Sequence, residues 1–265
     1  MRVYVDGIGL LAPGLSGWPA SAPILAGSAD YVSAPIAMPV LELLPPAERR
    51  RTPVSVKLAL AAGSEALANA AQPAADTATV FTSSGGDGDV IHQICEALAL
   101  PGHEVSPTRF HNSVHNASAG YWGIATHCHE PSTSLGAYDA SFAAGLIEAA
   151  TQAIVDPRVV LLIAYDTPYP EPINAVRPIR ASVGISLLLS PERSARSLCA
   201  LDINLVSNSS SATLLPQPDL EALRAGVPAG RALPLLVAIA AKSTSTIVLD
   251  YMGANALQIR VSPCS

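Results

Sequence analysis

Between Pro107 and Ala150 the chain gathers the residue types that could do chemistry. His111, His115, His127 and His129 crowd around Cys128, and Ser132, Ser134 and Asp139 follow closely. Two chemistries fit those types. Ser134 or Ser132 could serve as a nucleophile, with His115 or His129 as base and Asp139 orienting the ring. Imidazoles and a thiolate could also hold zinc. The spacing favours neither. No G-x-S-x-G motif surrounds the serines. On a strand, His127 and His129 would point away from Cys128, so no metal is expected. Asp139 stands near the start of a helix, where a carboxylate stabilises the helix dipole.

The elements that must position these groups are a strand and a helix joined by a sharp turn. Ser132, Thr133, Ser134 and Gly136 are small enough for backbone to crowd backbone. From Tyr138 onward, Phe142, Leu146, Ala149 and Ala150 recur at helical spacing and form one apolar stripe. α/β enzymes hold nucleophiles at such turns, because a helix N-terminus stabilises negative charge. A buried packing helix would use the same small residues.

The 265 residues suffice for one large domain or two small ones. With 49% hydrophobic and 14% charged residues, the composition suits a deeply buried α/β core or an obligate oligomer. The net charge is −6, and no basic run exists beyond Arg49-Arg50-Arg51, so nucleic acid is not expected as a partner. That triplet reads as an exposed loop after Pro45-Pro46. Cys95, Cys128, Cys199 and Cys264 contain no C-x-x-C pair, which signals neither zinc nor a disulfide framework. Reduced thiols and a cytoplasmic location are the expectation. The opening MRVYVDGIGLLAPGL is interrupted too early for a signal peptide, and no apolar run is long enough to span a bilayer.

Along the chain, Arg2 to Ile8 reads as a strand, and Gly7, Gly9 and Gly14 as a tight exit from it. No dinucleotide fingerprint opens there. A Pro- and Ala-rich segment follows, with a short helical piece near Leu41 to Leu44. Ser55 to Ala71 has helical periodicity, and Thr77 to Phe81 reads as a strand. Ser83-Ser84-Gly85-Gly86-Asp87-Gly88 then forms either a tight strand-to-helix turn or an anion-binding loop. Val90 to Leu100 is the next helix. Val159 to Tyr165 and Ser182 to Leu189 are continuous apolar runs, as in strands buried on both faces. Leu198 to Val206 adds a strand, Pro218 to Ala225 and Ala232 to Lys242 add helices, and Thr246 to Val261 reads as a closing β-hairpin. The alternation predicts a mostly parallel sheet covered by helices.

Six segments, in order, resemble the β-ketoacyl synthases of the thiolase fold, and more closely their non-catalytic relatives, the chain-length factors. VYVDGIGLLAPG is similar to the family's opening V-x-x-T-G-x-G-x-x-x-P. TSSGGDG resembles the glycine-rich segment after an early strand. HNASAGYWGIA resembles N-A-x-A-G-x-x-x-I. PSTSLGAYDASFAAGLIEAA resembles the nucleophile elbow P-S-x-S-x-x-x-A-C with its Ala- and Gly-rich helix. SVGISLLLSPE resembles the strand that closes the first half, and YMGANALQIRV resembles the last hairpin. The resemblance implies an α/β thiolase-like fold: a complete N-terminal βαβ half over residues 1–197, and a shortened C-terminal half over 198–265 packed on the same core.

Departures from the pattern shape the expected function. The elbow motif places Asp139 where the family carries its active cysteine, and a carboxylate is a far weaker nucleophile toward a thioester than a thiolate. Active synthases need two histidines after the cysteine, whereas His129 is the last histidine of this chain and precedes the elbow. The glutamine that replaces the cysteine in some chain-length factors is absent too. The resemblance therefore implies a non-catalytic subunit without cofactor. Its partner would be an active ketosynthase in a heterodimer, with acyl carrier protein as a further contact, in polyketide, aryl polyene or fatty-acid-type biosynthesis. A free-standing thiolase-fold acyl- or carrier-protein-binding protein and a Ser/His hydrolase are the alternatives. By the same resemblance, Phe110, His111, Ser113, Val114 and His115 would line the far end of the partner's acyl channel. The strand Ser132 to Leu135 would meet its twin across a dimer axis, with Val114, Tyr121, Trp122, Ile124 and Leu135 supplying apolar interface.

Overall fold

In a computed structural model, which describes residues 1–207 and 211–264, the two continuous apolar runs lie at the middle of one sheet. The strands are β1 (Arg2–Ala12), β2 (Leu15–Ser16), β3 (Ala78–Thr82), β4 (Ser132–Leu135), β5 (Val160–Asp166), β6 (Val183–Ser190), β7 (Cys199–Ser207), β8 (Ser245–Asp250) and β9 (Asn255–Pro263). Their order is β4-β3-β5-β6-β1-β7-β9-β8, and β2 folds back on β1. Every residue of β5 and β6 is buried. Alternate residues of β5 enter opposite cores, with Val160, Leu162 and Ala164 on one face and Leu161, Ile163 and Tyr165 on the other. That alternation is the pleat of a strand covered on both sides.

The helices are α1 (Trp18–Leu25), α2 (Pro46–Arg51), α3 (Val54–Ala70), α4 (Gly88–Ala99), α5 (Pro107–Asn112), α6 (Ala117–Thr126), α7 (Ser141–Val155), α8 (Ile173–Val176), α9 (Pro218–Gly226) and α10 (Leu233–Ala240). α3 and α6 cover one face of the sheet, while α1, α7, α9 and α10 cover the other. The predicted stripe of α7 is fully used: Phe142, Leu146, Ala149 and Ala150 are all buried. The closing hairpin forms as β8 and β9, and β7 joins it to β1, so residues beyond 198 extend the same sheet.

Four expectations need correction. The sheet is not mostly parallel: β3 pairs in parallel with β4 and β5, and the remaining pairings are antiparallel. The long apolar runs record burial on two faces, which either pairing can produce. Gly7 and Gly9 are not an exit turn but lie inside β1. A Cβ at Gly9 would fall 1.9 Å from the Ala62 carbonyl oxygen, and one at Gly7 would fall 2.2 Å from that of Ala66, so their absence lets α3 rest directly on the strand. Leu41 to Leu44 is not helical, and the helix begins after it, at Pro46. The arginine triplet therefore ends α2 rather than forming a loop, with proline at the helix start and cations in its last turn.

Candidate functional site

The strand-to-helix elbow forms where the small residues predict it. β4 is an edge strand, paired with β3 from Thr79↔Ser132 to Thr82↔Leu135. Gly136 then closes in on Ser83, whose carbonyl oxygen would lie 2.8 Å from any added Cβ. The chain turns through the 3-10 segment Tyr138–Ala140 into α7. Tyr138 takes the left-handed conformation, with φ 54, which is uncommon for an aromatic residue. Its neighbours hold it there. The Ser141 hydroxyl donates to the Tyr138 carbonyl at 2.7 Å and accepts from the Ala137 N–H at 2.9 Å. The Arg177 guanidinium sits 3.6 Å from the centre of the Tyr138 ring.

Asp139 follows this strained turn and is gripped from two directions. Arg177, just after α8, donates to its Oδ1 at 2.6 Å. Arg231, from the 3-10 turn Ala229–Ala232, donates to its Oδ2 at 3.2 Å and to Asp250 at 3.1 Å. The carboxylate is thus committed to two cations. Neither arginine was singled out by the sequence. The contacts span 38 and 92 residues, and no local motif announces pairs of that separation.

Asp166, at the end of β5, ties the same region together from beneath. Fully buried, it accepts from Ser84 N–H at 2.9 Å, Ser84 Oγ at 2.7 Å and Ser83 Oγ at 3.2 Å. Ala229 N–H donates to its other oxygen at 2.8 Å, so one carboxylate joins the glycine-rich loop to the turn that carries Arg231. Burial pushes its pKa up to about 6, and the donors at Ser84 oppose that rise. The glycine-rich loop is a packing turn. Gly86 N–H donates to Ser83 Oγ at 3.0 Å, and Asp87 caps α4 by accepting from Val90 N–H at 2.8 Å. The Tyr169 ring occupies the space above it: a Cβ on Gly85 would lie 2.0 Å from the Tyr169 hydroxyl oxygen, and one on Gly88 2.2 Å from the ring.

The hydrolase constellation does not assemble. The His115 Nε2 lies 3.1 Å from the Ser83 carbonyl oxygen, Thr79 donates to Ser132 Oγ at 2.8 Å, and Asp139 is held by arginines. Among the described residues no serine hydroxyl bonds a histidine. Nor does the His/Cys run gather: His127 ends α6 in a left-handed conformation, His129 is exposed, and Cys128 Sγ donates to the Thr77 carbonyl at 3.4 Å. Among the described residues no three His, Cys, Asp or Glu side chains are grouped to hold a metal ion.

The five proposed channel residues lie on α5 and the turn after it. Phe110 is 66% exposed, His111 and Val114 are exposed, and Ser113 and His115 are half-buried. The proposed interface set divides. Val114 and Ile124 are exposed and Leu135 half-buried, but Tyr121 and Trp122 are only 2% exposed and pack inside the second core. Their area is already used within the chain, so neither can supply a contact to another subunit. A groove of about 560 Å³ runs beside the β4 edge, lined by His115, Asn116, Ala119, Ser132 and Ser134. Among the described residues no strand pairs with the outer side of β4.

Residues 25–225 match the family described as beta-ketoacyl synthase, N-terminal domain. Solved structures share the fold. A chain of the ketosynthase (ApeO) in complex with its chain length factor (ApeC) from Xenorhabdus doucetiae superposes with TM-score 0.75 and 21% identity, over 98% of this chain and 99% of that one. The ishigamide ketosynthase/chain length factor gives TM-score 0.76 at 14% identity, over 100% and 99%. A type II polyketide assembly of acyl-carrier protein with its ketosynthase bound to the hexaketide, AntDE:AntF, gives 0.77 at 12%, over 99% of each. Among curated proteins none matches the sequence. No helix among the described residues is long and apolar enough to cross a membrane.

Proposed function

The chain belongs to the β-ketoacyl synthase family and has its thiolase-like fold, and we propose that within the family it is a non-catalytic chain-length factor, the partner of an active β-ketoacyl-ACP synthase. The observation that carries this reading is Asp139. It stands at the elbow position of the family cysteine, and Arg177 and Arg231 hold both of its oxygens. A carboxylate so held is a poor nucleophile toward a thioester. The chain has no later histidine to move a proton or stabilise an oxyanion.

The partner is a ketosynthase subunit in a heterodimer, located in the cytoplasm, with acyl carrier protein as a further contact. Three features support this. Among the described residues the outer edge of β4 is unpaired, and an unpaired edge offers backbone groups to another chain. Val114 and Ile124 expose apolar area. Two of the similar structures are described as ketosynthases with chain length factors. In this arrangement residues 1–197 form the ketosynthase-like half and residues 198–265 a shortened second half. Phe110, His111, Ser113, Val114 and His115 then end the partner's acyl channel in a polyketide, aryl polyene or fatty-acid-type pathway.

Co-expression with an active ketosynthase from the same source tests the pairing. One-to-one co-purification is expected. A chain that stays separate at micromolar concentration would leave the free-standing acyl-binding reading in its place.

A further inference from the structure

At the far end of α10 from Arg231, roughly 15 Å along the helix axis, lies a cavity of about 490 Å³ that belongs to neither the elbow nor the β4 edge. Its walls are Trp18 and Ala22 of α1, Leu198 before β7, and Ile239 near the end of α10. Leu198 is 40% exposed although apolar. Arg196 and Lys242 stand among the lining residues. Neither makes a side-chain ion pair or hydrogen bond among the described residues, and no carboxylate side chain lines the cavity.

The loop that carries Arg196 is fixed in place. The sheet register shifts between Val5 and Gly7, a bulge at Asp6, and the Asp6 carboxylate is buried. It accepts from Ser197 Oγ at 2.7 Å. Ser197 Oγ accepts from Ser194 N–H at 2.9 Å, and Ser194 Oγ accepts from Arg196 N–H at 3.1 Å. Leu198 N–H donates to the Val5 carbonyl at 2.8 Å. The rim is therefore ordered before any ligand arrives, which lowers the entropy cost of binding.

We propose that this cavity binds an amphiphilic anion: a single apolar chain of medium length with a carboxylate or similar head. The volume falls in the range of small-molecule sites, and apolar walls with few placed polar groups are their usual make-up. The tail lies against Trp18, Ala22, Leu198 and Ile239. The head meets Arg196 and Lys242, which face no carboxylate side chain among the described lining residues.

The test uses the full chain and ω-bromododecanoate, whose bromine quenches a nearby indole. The chain has two tryptophans, and Trp122 is buried on the opposite face of the sheet. Saturable quenching of Trp18 is expected below the concentration at which the ligand forms micelles, and Trp18→Phe should remove it. Arg196→Ala with Lys242→Ala should raise the half-saturating concentration by about tenfold or more. Both residues are exposed, so that variant is expected to fold, and the neutral ω-bromododecanol makes the same comparison on unaltered protein. No quenching, quenching that survives Trp18→Phe, or an unchanged midpoint in the double variant overturns the proposal. Equal affinity for the alcohol also overturns it, since that would assign the cavity to an uncharged apolar occupant.

Discussion

The Oδ1 of Asp139 lies 2.6 Å from a guanidinium nitrogen of Arg177, in the turn between β4 and α7. The same Arg177 stacks on Tyr138, the residue whose left-handed backbone sets the direction of Asp139. Arg231 takes the other carboxylate oxygen and passes the contact on to Asp250 at the end of β8. An ion-pair network thus holds the elbow and joins it to the last third of the chain.

Asp139→Cys is expected to restore no condensing activity, because no histidine follows position 139 in this sequence. It also strands Arg177 and Arg231 beside one another. A loss of about 1 kcal/mol is expected, since these pairs are partly solvated. Thermal unfolding and mass spectrometry after incubation with acyl-ACP check both parts. A stable acyl adduct that goes on to ketoacyl product would contradict the role assigned to Asp139.

Ile124→Glu is expected to abolish co-purification with the ketosynthase while leaving the chain folded, because Ile124 is 43% exposed. Trp122→Ala should instead unfold it, at a cost of about 3–5 kcal/mol for a buried large aromatic. Circular dichroism beside the pull-down separates the two. A complex that survives Ile124→Glu intact would place the interface elsewhere.

Phe110→Ala in the assembled pair is expected to shift products toward longer chains without stopping turnover. Phe110 is exposed in the isolated chain, so removing it leaves no core cavity. Each added methylene that finds apolar wall gains about 0.8 kcal/mol, and overfilling a closed end costs about 1–3 kcal/mol. Product masses decide; an unchanged distribution at normal yield would remove Phe110 from the channel.

The pKa of Asp166 rises from 3.8 in the open chain to about 6 in the fold. The folded state therefore holds the proton more tightly, and stability should fall as pH rises from about 4 to about 6, then level off. The loss is about 3 kcal/mol for a two-unit shift. Asp166→Asn should flatten that slope. It should also lower stability, because the amide nitrogen replaces one of the two acceptor oxygens and cannot take the bonds made there, either from Ser84 or from Ala229. Denaturant titrations at pH 4, 5, 6 and 7 measure it, and an unchanged slope in Asp166→Asn would refute it.

The fold was legible wherever periodicity was strong. The α7 stripe, the doubly buried β5 and β6 and the closing hairpin all form as their residues imply. Strand direction was not legible, because an apolar run records burial and not pairing. Gly7 and Gly9 misled for a related reason: glycine marks a close approach as readily as a turn, and here α3 is what approaches. At the site, Asp139 stood out through the elbow motif. Arg177, Arg231 and Asp166 did not, because their partners are fixed only once β4, β5 and the turn at Ala229 come together. Tyr121 and Trp122 show the same limit, since one helix face cannot say whether its aromatics fill this chain's core or a neighbour's.

The central claim is that this chain shapes a reaction it does not perform. Mass spectrometry of the co-expressed pair after incubation with acyl-ACP and malonyl-ACP tests it most directly. The acyl group is predicted on the ketosynthase alone, with ketoacyl product only when both subunits are present. An acyl adduct on this chain, or product from this chain by itself, would contradict the account.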